Sequence, residues 1–175
     1  TKQVEAFSSQ QVAAITTDQV THLALGTPIV LDLNGNGIST QSISNGVQFD
    51  IFGVNQNVTT GWVTGGDGLL VMDRNHDGSI NGGTELFGEG TDLASGQKAS
   101  NGYQALAELD VNADGVLNAE DGNFADLMVW VDDNSDGVSA NTELHSLGSL
   151  GITELGLNAQ TSTAVDNGNL IGLTS

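Results

Sequence analysis

The chain has no cysteine, one proline and only three basic residues. Without cysteine there are no disulfides, no thiolate metal sites and no thiol nucleophile. Three Lys and Arg against 22 Asp and Glu leave a formal charge of −19. Nucleic acids and anionic membranes are held by basic patches, so neither is an expected partner. Aromatic residues make up 5% and charged residues 14%, the latter well below the usual ~25%. The chain is therefore sparsely charged, but its charge has almost one sign. No apolar run approaches the ~18 residues of a membrane span, and the start does not read as a signal peptide. His22, His76 and His145 are scattered, so a zinc site is not expected. No G-x-S-x-G, Walker or dinucleotide fingerprint is present, and no enzymatic step is expected. What is present is 175 residues, 38% apolar, with 24 glycines. That is enough for one domain. Uncompensated charge opposes compaction, so the composition asks for cations from outside the chain.

The first 25 residues have a texture of their own. Phe7 to Ala14 and Ile15 to His22 form an eight-residue repeat, each half carrying an S/T-x-x-Q capping pattern. This reads as a short helical appendage over 1–25, with the main domain over 26–175. Pro28 opens the second texture. Strands are expected over 29–31, 47–51, 69–72 and 127–131, with weaker candidates at 152–157 and 170–173. Helices are expected over 103–109, 119–127 and 142–147, and glycine-rich loops over 61–68 and 82–102. Mixed helices and strands without regular alternation predict an α+β fold. The expectation is a compact, calcium-stabilised domain with a small β-sheet, short helices and EF-hand-like calcium loops.

Those loops are the strongest signal. Asp73-x-Asn75-x-Asp77-Gly78, Asp110-x-Asn112-x-Asp114-Gly115 and Asp132-x-Asn134-x-Asp136-Gly137 share one spacing, and Asp32-x-Asn34-x-Asn36-Gly37 is a weaker member. A hard Ca²⁺ takes six to eight oxygens. Alternate residues in a tight loop turn side-chain oxygens inward at positions 1, 3 and 5. Glycine at position 6 allows the sharp turn, and position 7 (Ser79, Val116, Val138) offers its carbonyl. A carboxylate near position 12 closes the site: Asp121 and Glu143 in register, Glu85 one residue late. The Asp32 loop has no acid there, and Asp50 is the expected distant contributor. Three to four or more Ca²⁺ are expected, acting as structural staples. Four would bring the formal charge from −19 to about −11.

From Pro28 to about Leu157 the chain resembles a module of RTX proteins. The matching stretches are Pro28 to Gly37, Gly61-Trp62-Val63, Asp67 to Val71, Asp73-Arg74-Asn75, Glu85 to Gly88, Gly102 to Asp110 and Trp130-Val131-Asp132. Two branches share this look. One is the calcium-dependent self-processing module of iron-regulated RTX proteins, which cuts an Asp-Pro bond at its own start. The other is the peptide-binding domain of giant RTX adhesins of the ice-binding type, which captures C-terminal ends of partner proteins. Thr27, not Asp, precedes Pro28, and a Thr hydroxyl without a base is a poor replacement for a carboxylate nucleophile. The resemblance therefore implies the binding branch, with self-processing as the alternative and a ligand-free spacer as the third reading.

A peptide C-terminus is an anion and needs a cationic receptor. Ca²⁺, Arg74 and Lys98 are the candidates. Glu89 and Asp92 are placed to bond peptide NH groups or a further ion, and Tyr103 or Trp62 to contact an apolar side chain. The resemblance implies a monomeric module flanked by other adhesin domains in a secreted, cell-surface or biofilm protein. The partners it implies are C-terminal peptides of surface proteins on host or neighbouring cells.

Overall fold

The computed structural model describes residues 28–175. The repeat over 1–25, the boundary at 26 and Thr27 lie outside them. In chain order the elements are β1 (Val30–Leu31), β2 (Ser39–Gln41), β3 (Val47–Phe49), β4 (Val58–Thr60), β5 (Trp62–Thr64), β6 (Gly68–Val71), α1 (Gly102–Ala107), β7 (Val116–Asn118), β8 (Met128–Trp130), β9 (Leu144–Ser146), β10 (Glu154–Gly156), β11 (Gln160–Asp166) and β12 (Asn169–Thr174).

The continuous apolar runs form the centre. Strands β1, β6, β8 and β9 make an antiparallel sheet in the order β1-β6-β8-β9. Because side chains alternate across a strand, a sheet buried on both faces reads as an unbroken apolar run. Leu69 and Val71 therefore enter one core with Phe49, Trp62 and Trp130, while Leu70 and Val129 enter a second with Phe87, Leu106, Leu117 and Leu127. In the first core Phe49, Trp62 and Trp130 form a triangle with ring centroids 5.2, 5.8 and 5.4 Å apart. Tilted pairs of this kind add about 0.5–1.5 kcal/mol each beyond area burial.

Two-stranded ladders surround this sheet: β2 with β5, β3 with β4, β7 with β10, and β11 with β12. Helix α1 is capped by the Asn101 side chain, which accepts the Gln104 amide at 2.9 Å. It buries Gly102, Ala105 and Leu106, the i, i+3, i+4 face of a short amphipathic turn. The β11–β12 hairpin turns through Asn167 and Gly168, both at positive φ, as a two-residue type I′ turn requires. Its tip clamps β2. Thr40 donates its amide and hydroxyl to Asp166 Oδ2, each at 2.7 Å, while Asn169 Nδ2 donates to the Gln41 carbonyl at 2.9 Å. The Thr40 hydroxyl and amide hold the Asp166 carboxyl below its ordinary value.

The α+β expectation, with short helices and EF-hand-like loops, is corrected. The domain is mainly β, with one α-helix among the described residues. The loops leave strands or the single helix; helix pairs do not flank them. Over 119–127 the Asp121 carboxylate accepts the Asn118 and Val111 amides, and only Phe124–Asp126 winds into a 3-10 turn. Over 142–147, Leu144 to Ser146 pair with β8. Ladder bonds and packing of Leu144 on the aromatic core override helical propensity there. The stretch 61–68 is not all loop, since Trp62 to Thr64 pair with β2.

Gly68 is required where β6 meets β8, because a Cβ there would drive into Val129 Cγ1. Gly68→Ala should lower stability by about 1–3 kcal/mol, measured by urea unfolding at fixed calcium. An unchanged midpoint would contradict this packing.

Candidate metal centre

The four loops have one backbone conformation. Position 4 is left-handed in each: Gly35 (φ 74°), His76 (59°), Ala113 (58°) and Ser135 (55°). Position 6 is a glycine in the same region: Gly37 (92°), Gly78 (83°), Gly115 (83°) and Gly137 (71°). Non-glycine residues at positive φ are uncommon, so three of them at equivalent places mark one imposed geometry.

The position-1 aspartate organises each loop. Asp32, Asp73, Asp110 and Asp132 accept the position-6 amide through Oδ2 at 2.8, 2.9, 2.9 and 2.8 Å. In the three full loops the position-5 amide bonds back to Asn75, Asn112 or Asn134 at 2.8, 3.0 and 3.1 Å. The position-7 amides of Ser79, Val116 and Val138 bond to Asp77, Asp114 and Asp136. The Gly37 amide above all, with those of Gly35 and Asn34, holds the Asp32 carboxyl below its ordinary value.

The closing acids differ. In the first full loop, oxygens of Asp73, Asp77 and Glu85 lie within 4.8 Å of one another. The late position of Glu85 is absorbed by the turn through Gly82 and Gly83, as Glu85 N donates to the Gly82 carbonyl at 3.0 Å. Glu85 is 1% exposed, and its Oε1 is buried without a partner. Burial pushes its carboxyl upward, with neighbouring Asp77 and Asp73 adding to the effect. A buried acceptor beside two more carboxylates fits a hard cation. In the second loop Asp121 closes from below with both oxygens bonded to backbone amides. In the third, Glu143 Oε2 accepts the Ala140 amide at 3.0 Å and the Trp130 indole at 3.3 Å. The Trp62 indole donates to Asp132 Oδ2 at 2.7 Å. The donor set throughout is carboxylate, amide and carbonyl oxygen, the set Ca²⁺ prefers.

Asp50, the expected distant contributor to the Asp32 loop, accepts Val54 N at 3.0 Å and Asn55 N at 2.7 Å through its two oxygens. The six peptide-contact candidates fall into two groups. Trp62 and Tyr103 line a cleft of about 710 Å³ between β1, α1 and the β11–β12 hairpin. Tyr103 also donates to the Ser175 hydroxyl at 3.0 Å. In the second group, Lys98 pairs with Asp92 at 2.9 Å and donates to the Gly90 and Gly53 carbonyls at 2.7 and 3.2 Å. Arg74 stacks over Phe87 at 5.0 Å, and burial lowers its pKa against the pull of Glu108, Glu85 and Asp92. Burial likewise raises the Glu89 carboxyl. The cleft itself had no signal in the sequence, because its walls come from segments more than a hundred residues apart. No described helix is long and apolar enough to cross a membrane.

Comparison with known proteins places the chain in a family. Residues 29–175 match the SPM domain model. The chain is also 48% identical over 132 residues to iron-regulated protein FrpA of Neisseria meningitidis serogroup C, covering 74% of this chain and 12% of that protein. The match falls on the iron-regulated branch of the resemblance, and the chain corresponds to a small part of the length of that relative. With the domain model spanning almost all the described residues, the chain belongs to the SPM domain family.

Proposed function

We propose that this SPM domain is a calcium-folded, non-enzymatic module of a large secreted RTX-type protein and that it binds the C-terminal ends of partner peptides. The observation that carries the calcium reading is the convergence of Asp73, Asp77 and Glu85 around a buried oxygen with no partner. Like charges this close repel by several kcal/mol at an intermediate dielectric. A divalent ion removes that repulsion and neutralises part of the −19 charge. Extracellular calcium would then favour the folded form. Peptide capture is supported by the cleft beside β1, where Tyr103 offers aromatic surface, while Trp62, buried in the aromatic core, forms part of its floor. Lys98 is already engaged by Asp92, which favours Ca²⁺ over lysine as the receptor for a terminal carboxylate. The second reading, Asp-Pro self-processing lost through Thr27, is favoured by the 48% identity to iron-regulated protein FrpA.

Calcium should raise the melting temperature strongly. Each site contributes about 2.7 kcal/mol at a hundredfold excess of ion over its Kd, or roughly 5–11 °C in a domain of this size. Glu85→Gln should remove most of one site's share, and a melt indifferent to calcium and chelator would sink the staple. An array of peptides with free C-termini should give hits that vanish with chelator or on C-terminal amidation; hits indifferent to both would count against carboxylate capture. Thr27→Asp with calcium should leave the chain intact, whereas efficient cleavage before Pro28 would favour the self-processing reading.

A further inference from the structure

The Asp32 loop has one carboxylate and no acid at position 12, yet its backbone matches that of the full loops. A carboxylate from another part of the chain comes next to it in the sheet register. Strands β1 and β6 pair with Val30 opposite Leu69 and Leu31 opposite Gly68. One further step in that register sets Asp32 opposite Asp67. Directly opposed residues share a face, with Cβ atoms about 4.5–5.5 Å apart, and like charges there are destabilising. Strand alternation puts Asp67 on the face of Leu69 and Asp32 on the face of Val30, and both of those pack on the aromatic core.

Asp67 is 2% exposed. Its Oδ2 accepts the amide of Ser39, the eighth residue of the Asp32 loop, at 2.8 Å. Its Oδ1 is buried with no partner. Just before it, the Gly65 carbonyl accepts Asn34 Nδ2 at 2.9 Å, so the turn ahead of β6 grips the loop at positions 3 and 8. On the other flank, Asp132 already has the Gly137 amide and Trp62 indole on Oδ2, and its loop has Glu143 as closing acid. Asp67 is thus a buried acceptor without a donor, beside a calcium-type loop without a closing acid. A buried carboxylate oxygen left unpaired is costly, and a cation is the partner that satisfies both lacks.

We propose that Asp67 is the closing ligand of a fourth Ca²⁺ site, with Asp32, Asn34 and Asn36 as loop ligands and the Ile38 carbonyl at position 7. The inference rests on the calcium reading of the other three loops. It replaces Asp50, which caps its own turn. The site would bolt the end of β1 to the start of β6, closing the sheet edge that follows Pro28.

Native mass spectrometry of the whole chain with calcium, and with magnesium as control, tests this. The wild type should bind four Ca²⁺. Asp67→Asn and Asp32→Asn should each bind one fewer, and the double variant should also bind one fewer, because both residues serve the same ion. Glu85→Gln should lose a different ion, so its combination with Asp32→Asn should lose two. If Asp67→Asn fails to fold, Asp32→Asn, altered only in an exposed loop, carries the count. Four ions retained in either single variant, or additive loss of two in the double variant, would overturn the shared site. A wild type binding three ions, unchanged by Asp32→Asn, would overturn this site alone. A wild type binding none would overturn the calcium reading on which it rests.

Discussion

The structure depends on holding carboxylates close together in a chain with almost no positive charge of its own. Three acids meet around one point in the Asp73 loop, and the single ion pair among the described residues, Lys98 with Asp92, lies elsewhere. Repulsion is limited in part by the backbone. Each position-1 aspartate takes amides from its own loop, and these oriented dipoles act as fixed partial positive charge. Amides alone leave oxygens over, as at Glu85, and those residual acceptors are what the proposed ions would satisfy.

The fold puts this chemistry to structural use. Three of the four loops begin within two residues of the end of a central-sheet strand: Asp32 after β1, Asp73 after β6 and Asp132 after β8. Since β1 and β8 are both antiparallel to β6, the Asp32 and Asp132 loops share one end of the sheet and the Asp73 loop lies at the other. Strands of two to four residues are too short to be stable as isolated ladders. Two apolar cores clamp the sheet face to face, and the loops fasten its ends.

The parts legible in the sequence were those with local signatures. Apolar runs at 69–72 and 127–131 became β6 and β8, and three D-x-N-x-D-G stretches with the D-x-N-x-N-G stretch at Asp32 became four loops of equal backbone conformation. The helix expected over 103–109 is α1, Gly102–Ala107. Elements decided by long-range pairing were not. Thr142 to Leu147 has a helical pattern, but a partner strand dictates its state; β5 lies in a glycine-rich stretch that reads as loop until β2 is beside it. Asp67 was invisible for the same reason. It falls in none of the four loop spacings, and only the register of β1 on β6 sets it against the Asp32 loop.

Both tryptophans of the chain donate their indole N–H to acids of one loop, Trp62 to Asp132 and Trp130 to Glu143. They also stand edge to face, 5.4 Å apart. The intrinsic ultraviolet emission of this protein is therefore an optical gauge of the Asp132 loop, wired to it through two hydrogen bonds. Among the described residues, no indole is hydrogen-bonded to the acids of the other three loops.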